Sequence, residues 1–311
     1  MKVEGRRTSS NVVDNRKNTA VKAGGAVGGA GVVAIVIYLL TNGQVDLTQQ
    51  MIQQPAQPAA VCQIGEDCET AAPRKDGVAY ETGEFKDEDD LKNFASIILA
   101  STEDVWTDVF QKNGQVYPKP KMVLFTDRVS TGCGDADFNV GPFYCSADQA
   151  LYIDLAFLAN MKKLVGTGGD FAYAYVIAHE VGHHVQNVLG TLRTYNTKEA
   201  MLRKQNQEAD ANLISVQIEL QADYYAGVWA HYESNTYGSI DQSDIKKGLD
   251  AAVAVGDDTL GVQRKEKFSH GSSEMRVKWL YKGLKTGDMN AANTFEYPSL
   301  QALEAIDVTN L

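Results

Sequence analysis

The sequence predicts an α+β domain, mostly helical with a small sheet, that is preceded by one transmembrane helix. After residue 85, apolar residues recur three and four positions apart in most segments, which is the spacing of helices that pack on a core. Only two short runs, at 122–125 and 151–155, have the composition of strands. With 44% hydrophobic and 22% charged residues, the 311-residue chain can bury a sizeable core.

The N-terminal region has the charge pattern of a membrane anchor. Residues 1–22 carry six basic and two acidic side chains, and residues 23–40 carry no charge. The glycines of this segment disfavour a buried soluble helix, and the absence of a small-x-small site after it disfavours a cleaved signal peptide. Because basic flanks stay in the cytoplasm, we predict a single-pass membrane protein with a cytoplasmic tail at 1–18 and a signal anchor at 19–41. The rest of the chain would then be extracytoplasmic, in the periplasm or at the cell surface.

The region after the anchor is predicted to be a linker, followed by the folded domain. Residues 42–84 begin with a run rich in Gln, Ala and Pro, and ordered structure is expected over 85–311. An even number of cysteines in an exported chain favours two disulfides, of which the simplest pairing joins Cys62 to Cys68 and Cys133 to Cys145. A metal site built from these cysteines is the alternative, and their spacing disfavours it.

Within the domain, the elements follow from periodicity and from helix-ending residues. We predict, in order, a helix over 86–114, a strand at 122–125, a glycine-rich loop over 135–145, a strand at 151–155, and helices over 170–190, 198–232, 241–256 and 272–285. The first helix starts with acids and ends at Asn113 and Gly114. The second starts at Asp170 and ends at Gly190. The third is apolar on two faces, so it should be buried on two sides.

The stretch YVIAHEVGHHVQ holds three of the five histidines of the chain. His179 and His183 are four residues apart, so on a helix both imidazoles can reach one Zn²⁺ ion. Glu180 is rotated to the side, where it can act as a general base on a water at the metal. A chance match on a buried helix is the alternative, but burying these groups without partners would be costly. The pattern therefore predicts a zinc site.

The stretch IELQADYYAGVWAHYE supplies the third ligand. Glu219 and Asp223 are again four apart on one helix face, so we predict that Glu219 binds zinc and that Asp223 accepts a hydrogen bond from the far nitrogen of a ligand histidine. His231 is the rival ligand, but it lies about 120° away around the helix and is interpreted as structural. His184 is turned about 100° from its neighbour and is expected behind the site or at the surface.

One more histidine has two interpretations. His270, in FSHGSSEMR, could stabilise the oxyanion of a tetrahedral intermediate, or it could be a helix-capping or surface histidine. Tyr224 and Tyr225 could serve the same catalytic purpose, but their apolar surroundings favour the core.

Several segments together resemble the family of neutral zinc metallopeptidases, in order and over nearly the whole chain. They are GRRTSSNVVDNR at 5–16, FNVGPFYCSADQALYIDLAFL at 138–158, HEVGHHVQNVLG at 179–190, ELQADYYAGVWA at 219–230 and FSHGSSEMR at 268–276. The resemblance is weakest over 42–80 and in the C-terminal tail, and Val13 and Met275 depart from the usual pattern without touching a ligand position. It implies a zincin-like domain of the gluzincin type, with zinc bound by His179, His183 and Glu219 and with Glu180 as base.

The predicted function is therefore that of a membrane-anchored zinc metallopeptidase acting on peptides or proteins. A strand at 151–155 could pair with an extended substrate at the sheet edge. Two alternatives stay open: a zinc-stabilised binding or scaffold domain in the cell envelope, and a zinc amidase acting on cell-wall peptides. The net charge of −11 argues against nucleic acid as a partner.

Overall fold

The computed structural model describes residues 1–16, 85, 87–137, 140–158 and 169–309, and these form an α+β fold. The elements, in chain order, are β1 (Val12–Asp14), α1 (Glu88–Lys112), β2 (Lys121–Phe125), β3 (Arg128–Thr131), β4 (Gly134–Asp137), β5 (Phe143–Cys145), β6 (Ala150–Asp154), α2 (Asp170–Val188), α3 (Thr191–Lys204), α4 (Glu208–Asn235), α5 (Gln242–Ala254), α6 (Ser273–Thr286) and α7 (Leu300–Glu304). The fold is thus mostly helical with a small sheet, as the apolar spacing predicts.

The main sheet has four strands in the order β1-β2-β6-β5. β1 and β6 run parallel to β2, while β5 is antiparallel to β6, and β3 and β4 form a separate hairpin. The prediction of a loop over 135–145 is wrong in part, because this stretch contains most of β4 and all of β5. Strands of three or four residues show too little alternation to be recognised without their pairing partners.

A disulfide joins Cys133, in the turn of the β3–β4 hairpin, to Cys145 at the end of β5. This pairing confirms one of the two predicted disulfides. It ties the hairpin to the edge of the main sheet. The other predicted pair, Cys62 and Cys68, lies outside the described residues.

α4 is the central helix, because it packs against α2 on one side and α6 on the other. The helix predicted over 198–232 is in fact two helices, since Asn206 has a φ of +57° and interrupts it. Close contact with α6 depends on two glycines. A Cβ on Gly227 would lie 2.1 Å from the Leu280 carbonyl oxygen, and one on Gly283 would lie 2.0 Å from that of Tyr224. The helix backbones therefore approach at distances that no larger residue permits.

Residues 1–16, which the sequence predicts to be a cytoplasmic tail, pack on this body. β1 extends the sheet, and the side chain of Arg6 binds Glu233 of α4. The folded part of the chain therefore includes residues 1–16 as well as the predicted domain. The predicted anchor at 19–41 and the linker at 42–84 lie outside the described residues. Among the helices that are described, none combines the length and the hydropathy needed to cross a bilayer.

Candidate metal centre

Two helices bring the predicted ligands together. α2 carries the two histidines and α4 carries Glu219. Gly182, between the histidines, lies against the α4 backbone, where an added Cβ would be 2.7 Å from the carbonyl oxygen of Ala222. The glycine in HEVGH therefore lets α2 and α4 approach closely enough for one turn of each helix to share a site.

The three predicted ligands form a compact buried group. The Nε2 atom of His179 lies 3.2 Å from Oε2 of Glu219, and Nε2 of His183 lies 3.5 Å from Oε1. One ligand atom from each residue lies within 4.8 Å of the others, and all three side chains are buried. Within the described part of the chain, no other group of three or more His, Cys, Asp or Glu side chains has this geometry.

The far nitrogen of each histidine has an acceptor. Nδ1 of His179 lies 2.8 Å from Oδ1 of Asp223, and Nδ1 of His183 lies 2.9 Å from Oε1 of Gln186. Each Nδ1 can donate its proton to these oxygens, which leaves Nε2 as the free lone pair that a metal needs. The sequence reasoning missed Gln186, although its position one turn after His183 is a signal that could have found it.

Three buried polar atoms at the metal site have no side-chain hydrogen-bond partner. They are both carboxylate oxygens of Glu180 and Nε2 of His183. Such atoms carry an energetic cost unless something binds them. A cation bound by the histidines and Glu219 would satisfy the free lone pair of His183. The residues present therefore fit a divalent metal ion.

A buried arginine supports this group from behind. Arg276 of α6 forms a fork on Asp223, with Nε 2.8 Å from Oδ2 and Nη2 3.0 Å from Oδ1. Tyr175 donates a further hydrogen bond to Oδ1 at 2.6 Å. Burial alone would raise the pKa of Asp223, but Arg276 and His179 outweigh it, so the pKa is lowered and the carboxylate stays ionised. The sequence around Arg276, FSHGSSEMR, carries no local signal of this role.

The pKa values of the ionisable residues at the metal site are shifted in different directions. Burial lowers the pKa of His183 to about 4, so this ring is neutral. Burial also opposes protonation of His179, but Asp223 and Glu219 outweigh it and raise its pKa to about 10. Burial raises the pKa of Glu180 to about 8. In the metal-free protein, one proton therefore resides on His179 at neutral pH, where a metal ion would replace it.

His270 lies near the ligand group without belonging to it. The Asp257 carboxylate accepts hydrogen bonds from the backbone N–H groups of Ser269, His270 and Gly271 at 2.7–2.9 Å. Its other oxygen lies 3.3 Å from Nδ1 of His270. Burial lowers the pKa of His270, but Asp257 and Glu219 outweigh burial, so the pKa is raised. The influence of Glu219 indicates that the ring lies close to the metal site. Asp257 has no distinctive sequence signal.

The remaining histidines are structural. His184 is buried behind the site, with Nδ1 2.9 Å from the Tyr144 hydroxyl and Nε2 2.6 Å from the carbonyl oxygen of Pro118. It thereby ties α2 to β5. His231 lies near the far end of α4, where Nδ1 donates to the carbonyl oxygen of Leu284 at 2.8 Å.

Comparison with known proteins agrees with this geometry. The family model described as "Putative neutral zinc metallopeptidase" matches residues 1–295. A protein of Escherichia coli strain K12, described as uncharacterized protein YpfJ, is 38% identical over 307 residues, which cover 95% of this chain and 99% of that protein. Uncharacterized protein Rv2575 of Mycobacterium tuberculosis is 42% identical over 199 residues, covering 59% of this chain and 65% of that protein.

No solved structure matches the chain significantly. The family match nevertheless covers all of the described elements up to α6, including β1 and the three ligand residues. Zinc is the metal of this family, and His179, His183 and Glu219 are the residues that could hold it. The chain belongs to this zinc metallopeptidase family.

Proposed function

We propose that the protein hydrolyses peptide bonds and that Glu180 is the general base. The observation that carries the proposal is the Glu180 carboxylate, which is buried, lacks a side-chain hydrogen-bond partner and directly follows a ligand histidine. A zinc ion bound by His179, His183 and Glu219 supplies a Lewis acid that lowers the pKa of a water to about 7 and polarises a carbonyl group. Glu180 then accepts a proton from the attacking water and delivers it to the nitrogen of the leaving amine.

The composition of the ligand group favours catalysis over a structural metal. Structural zinc sites have four protein ligands, whereas catalytic sites have three and an open position. The described residues provide three. A binding or scaffold domain would also have no use for an unpaired buried glutamate beside the ligands, because that side chain costs stability.

Strand β5 is the place where we propose that an extended substrate pairs. The sequence-based hypothesis of pairing at 151–155 is wrong, because β6 lies between β2 and β5 and both of its edges are occupied. β5 is at the edge of the sheet and contacts α2, and the Tyr144 backbone lowers the pKa of Glu180 against the effect of burial. A peptide added to this edge would therefore lie beside the base.

His270 is proposed to stabilise the negative charge that develops on the scissile carbonyl oxygen. Nδ1 of its imidazole lies 2.9 Å from the Ser269 hydroxyl and 3.3 Å from the Asp257 carboxylate, so Nε2 is the atom available to a substrate. The raised pKa means that this ring can carry the proton it donates. Replacing His270 with Ala should then lower kcat far more than it changes zinc content.

The direct test compares the full-length protein with Glu180→Gln for zinc content and for hydrolysis of a mixed peptide library. Stoichiometric zinc in both proteins with cleavage by the parent alone is the expected result. Glu208→Gln, an exposed glutamate on α4, is the matched control and should cleave normally. Equal cleavage by Glu180→Gln would refute the role of the base. Cleavage confined to cell-wall peptides would instead identify an amidase with the same machinery.

A further inference from the structure

Residues before the predicted anchor form a strand in the same sheet as the metal-binding body. β1 pairs in parallel with β2, with Val12 opposite Met122, Val13 opposite Val123 and Asp14 opposite Leu124. Hydrogen bonds continue at both ends of the pairing. Met122 donates to the carbonyl oxygen of Asn11 at 2.9 Å, and Asn15 donates to that of Leu124 at 2.8 Å. The first residues of the chain are thus part of the fold rather than an appended tail.

A buried carboxylate on α4 depends on this segment. Glu233 is fully buried, and the guanidinium of Arg6 binds both of its oxygens, at 2.6 and 2.9 Å. Ser101 and Ser239 also donate to it. Without Arg6, the body would bury a carboxylate that has no cationic partner, which is strongly unfavourable.

A second buried carboxylate, Glu103 of α1, depends on the same segment. It accepts hydrogen bonds from the Ser9 hydroxyl at 2.5 Å, the Asn11 amide at 2.7 Å and the Arg7 guanidinium at 3.0 Å. Lys119 of the body lies further away, at 3.8 Å. Residues 6–11 therefore supply most of the partners of two buried charges that lie on different helices.

The chain leaves the body and returns to it at neighbouring points. Arg16 follows β1, and its guanidinium donates to Glu88 at 2.9 Å and to Asp89 at 2.8 Å. Both acids lie in the first turn of α1. Arg16 and the start of α1 therefore lie at the same surface of the folded body.

We propose that residues 1–16 and the metal-binding body lie in the same compartment, on the same side of the membrane. A single crossing would place about 30 Å of hydrocarbon between the two parts. The hydrogen bonds of β1 and of Arg6 require separations of about 3 Å. The two arrangements exclude each other, and this inference does not depend on the proposed catalytic activity.

The test traps the contact in intact cells that express the full-length chain. Ser9 and Ser96 are each replaced with Cys, because the Ser96 hydroxyl lies 3.1 Å from the Ser9 amide nitrogen. A site for a specific protease is inserted between residues 42 and 60, upstream of Cys62, so the N-terminal fragment carries only the introduced cysteine. Cells are treated with a membrane-permeant oxidant, free thiols are blocked with N-ethylmaleimide, and the protein is then cleaved in detergent and run on a non-reducing gel.

We expect the two fragments to stay joined until a reductant is added. Ser9→Cys alone is the matched control and should give separate fragments. A second pair, Val13→Cys with Val123→Cys, tests the same contact at another position, so the outcome does not depend on the disulfide geometry of one pair. Fragments that separate after oxidation in cells, but join when the oxidation is repeated in detergent, would show that the membrane divides the two parts. Separation of both pairs under both conditions would show that the contact does not form. Either result overturns the proposal.

Discussion

Glu180 shows how the chemistry of the site conflicts with stability. Its carboxyl group is buried without a side-chain hydrogen-bond partner, and burial raises its pKa to about 8. Between the ordinary pKa of about 4.5 and that value, the folded state binds more protons at this position than the unfolded state. Protonation of Glu180 therefore contributes to the stability of the metal-free protein. This contribution is fully present at low pH and is lost as the pH rises towards 8.

Glu180→Gln should accordingly stabilise the metal-free protein, and by more at pH 8 than at pH 5. The gain at pH 8 should be about 1–3 kcal/mol, the usual cost of a buried unsatisfied polar group. Thermal unfolding of the two metal-free proteins at both pH values measures it. Glu208→Gln, which alters an exposed side chain, should show no such dependence. An equal difference at the two pH values would contradict the assignment of the raised pKa to Glu180.

Arg276 shows how a residue that does not bind the metal can control a ligand: it holds Asp223, and its Nη2 lies 3.4 Å from Nδ1 of His179. Arg276 contacts both oxygens of the buried Asp223 carboxylate. Arg276→Gln should leave that carboxylate with only Tyr175 and His179 as partners and cost about 3–5 kcal/mol. Zinc affinity should fall about 10–100-fold, because Asp223 would no longer hold His179 in one orientation. Urea unfolding and a competitive chelator titration measure the two effects.

A double mutant separates these effects from a simple packing defect. With Asp223→Asn in the background, Arg276→Gln should cost much less stability, because the unpaired charge is gone. Arg276→Lys keeps the charge but not the two-pronged contact, so it should recover only part of the zinc affinity. If the costs of the two single changes simply add, Arg276 does not act through Asp223.

At the scale of elements, the site depends on how closely α2 and α4 approach. Gly182→Ala would place a Cβ 2.7 Å from the carbonyl oxygen of Ala222, so the helices must separate. We expect a loss of about 1–3 kcal/mol in unfolding free energy, together with weaker zinc binding. Gly238→Ala is the control, since an added Cβ on Gly238 has nothing within 4 Å. Because Gly238, unlike Gly182, has a positive φ, this change should still alter stability by about 1 kcal/mol, but without affecting zinc. Unchanged zinc affinity in Gly182→Ala would refute this explanation.

The elements also show which predictions local patterns can support. α1, α2, α5 and α6 begin and end within a few residues of their predicted limits, because capping acids, serines and glycines act within one turn. The break before α4 was missed, because only the left-handed conformation of Asn206 reveals it. β5 was missed and β6 was placed at an edge, because strand order is a property of pairings between distant segments.

At the scale of the whole molecule, the metal should contribute to stability. The ligand group joins α2 and α4 in the centre of the domain, and its atoms are oriented by residues from α2, α4 and α6. Free zinc at 100 times its dissociation constant should stabilise the folded state by about 2.7 kcal/mol. Chelation should therefore lower the midpoint of thermal unfolding, and added zinc should restore it. A midpoint that does not respond to either treatment would contradict the site.

The sequence by itself determined the ligand pattern and the neighbours that lie within a turn or two of each ligand. Residues four apart share a helix face whatever the rest of the chain does, so the two histidines, Glu180, Glu219 and Asp223 could be read from spacing alone. The same pattern predicts zinc as the metal, and the family resemblance agrees with it. Cys133 and Cys145 could likewise be paired from their proximity in the chain and an expected oxidising compartment.

Only the tertiary structure decided which distant groups support the metal site and where residues 1–16 lie in the fold. Arg276 and Asp257 carry no local signal, because a buried charge is recognisable only when its partner from another segment is known. The same holds for residues 1–16, whose basic side chains have the pattern of a cytoplasmic flank. Their role follows from two buried glutamates on helices that are about 90 or more residues away in sequence. Local spacing is set by backbone geometry, whereas long-range pairing is set by the burial of charge and apolar surface across the whole fold.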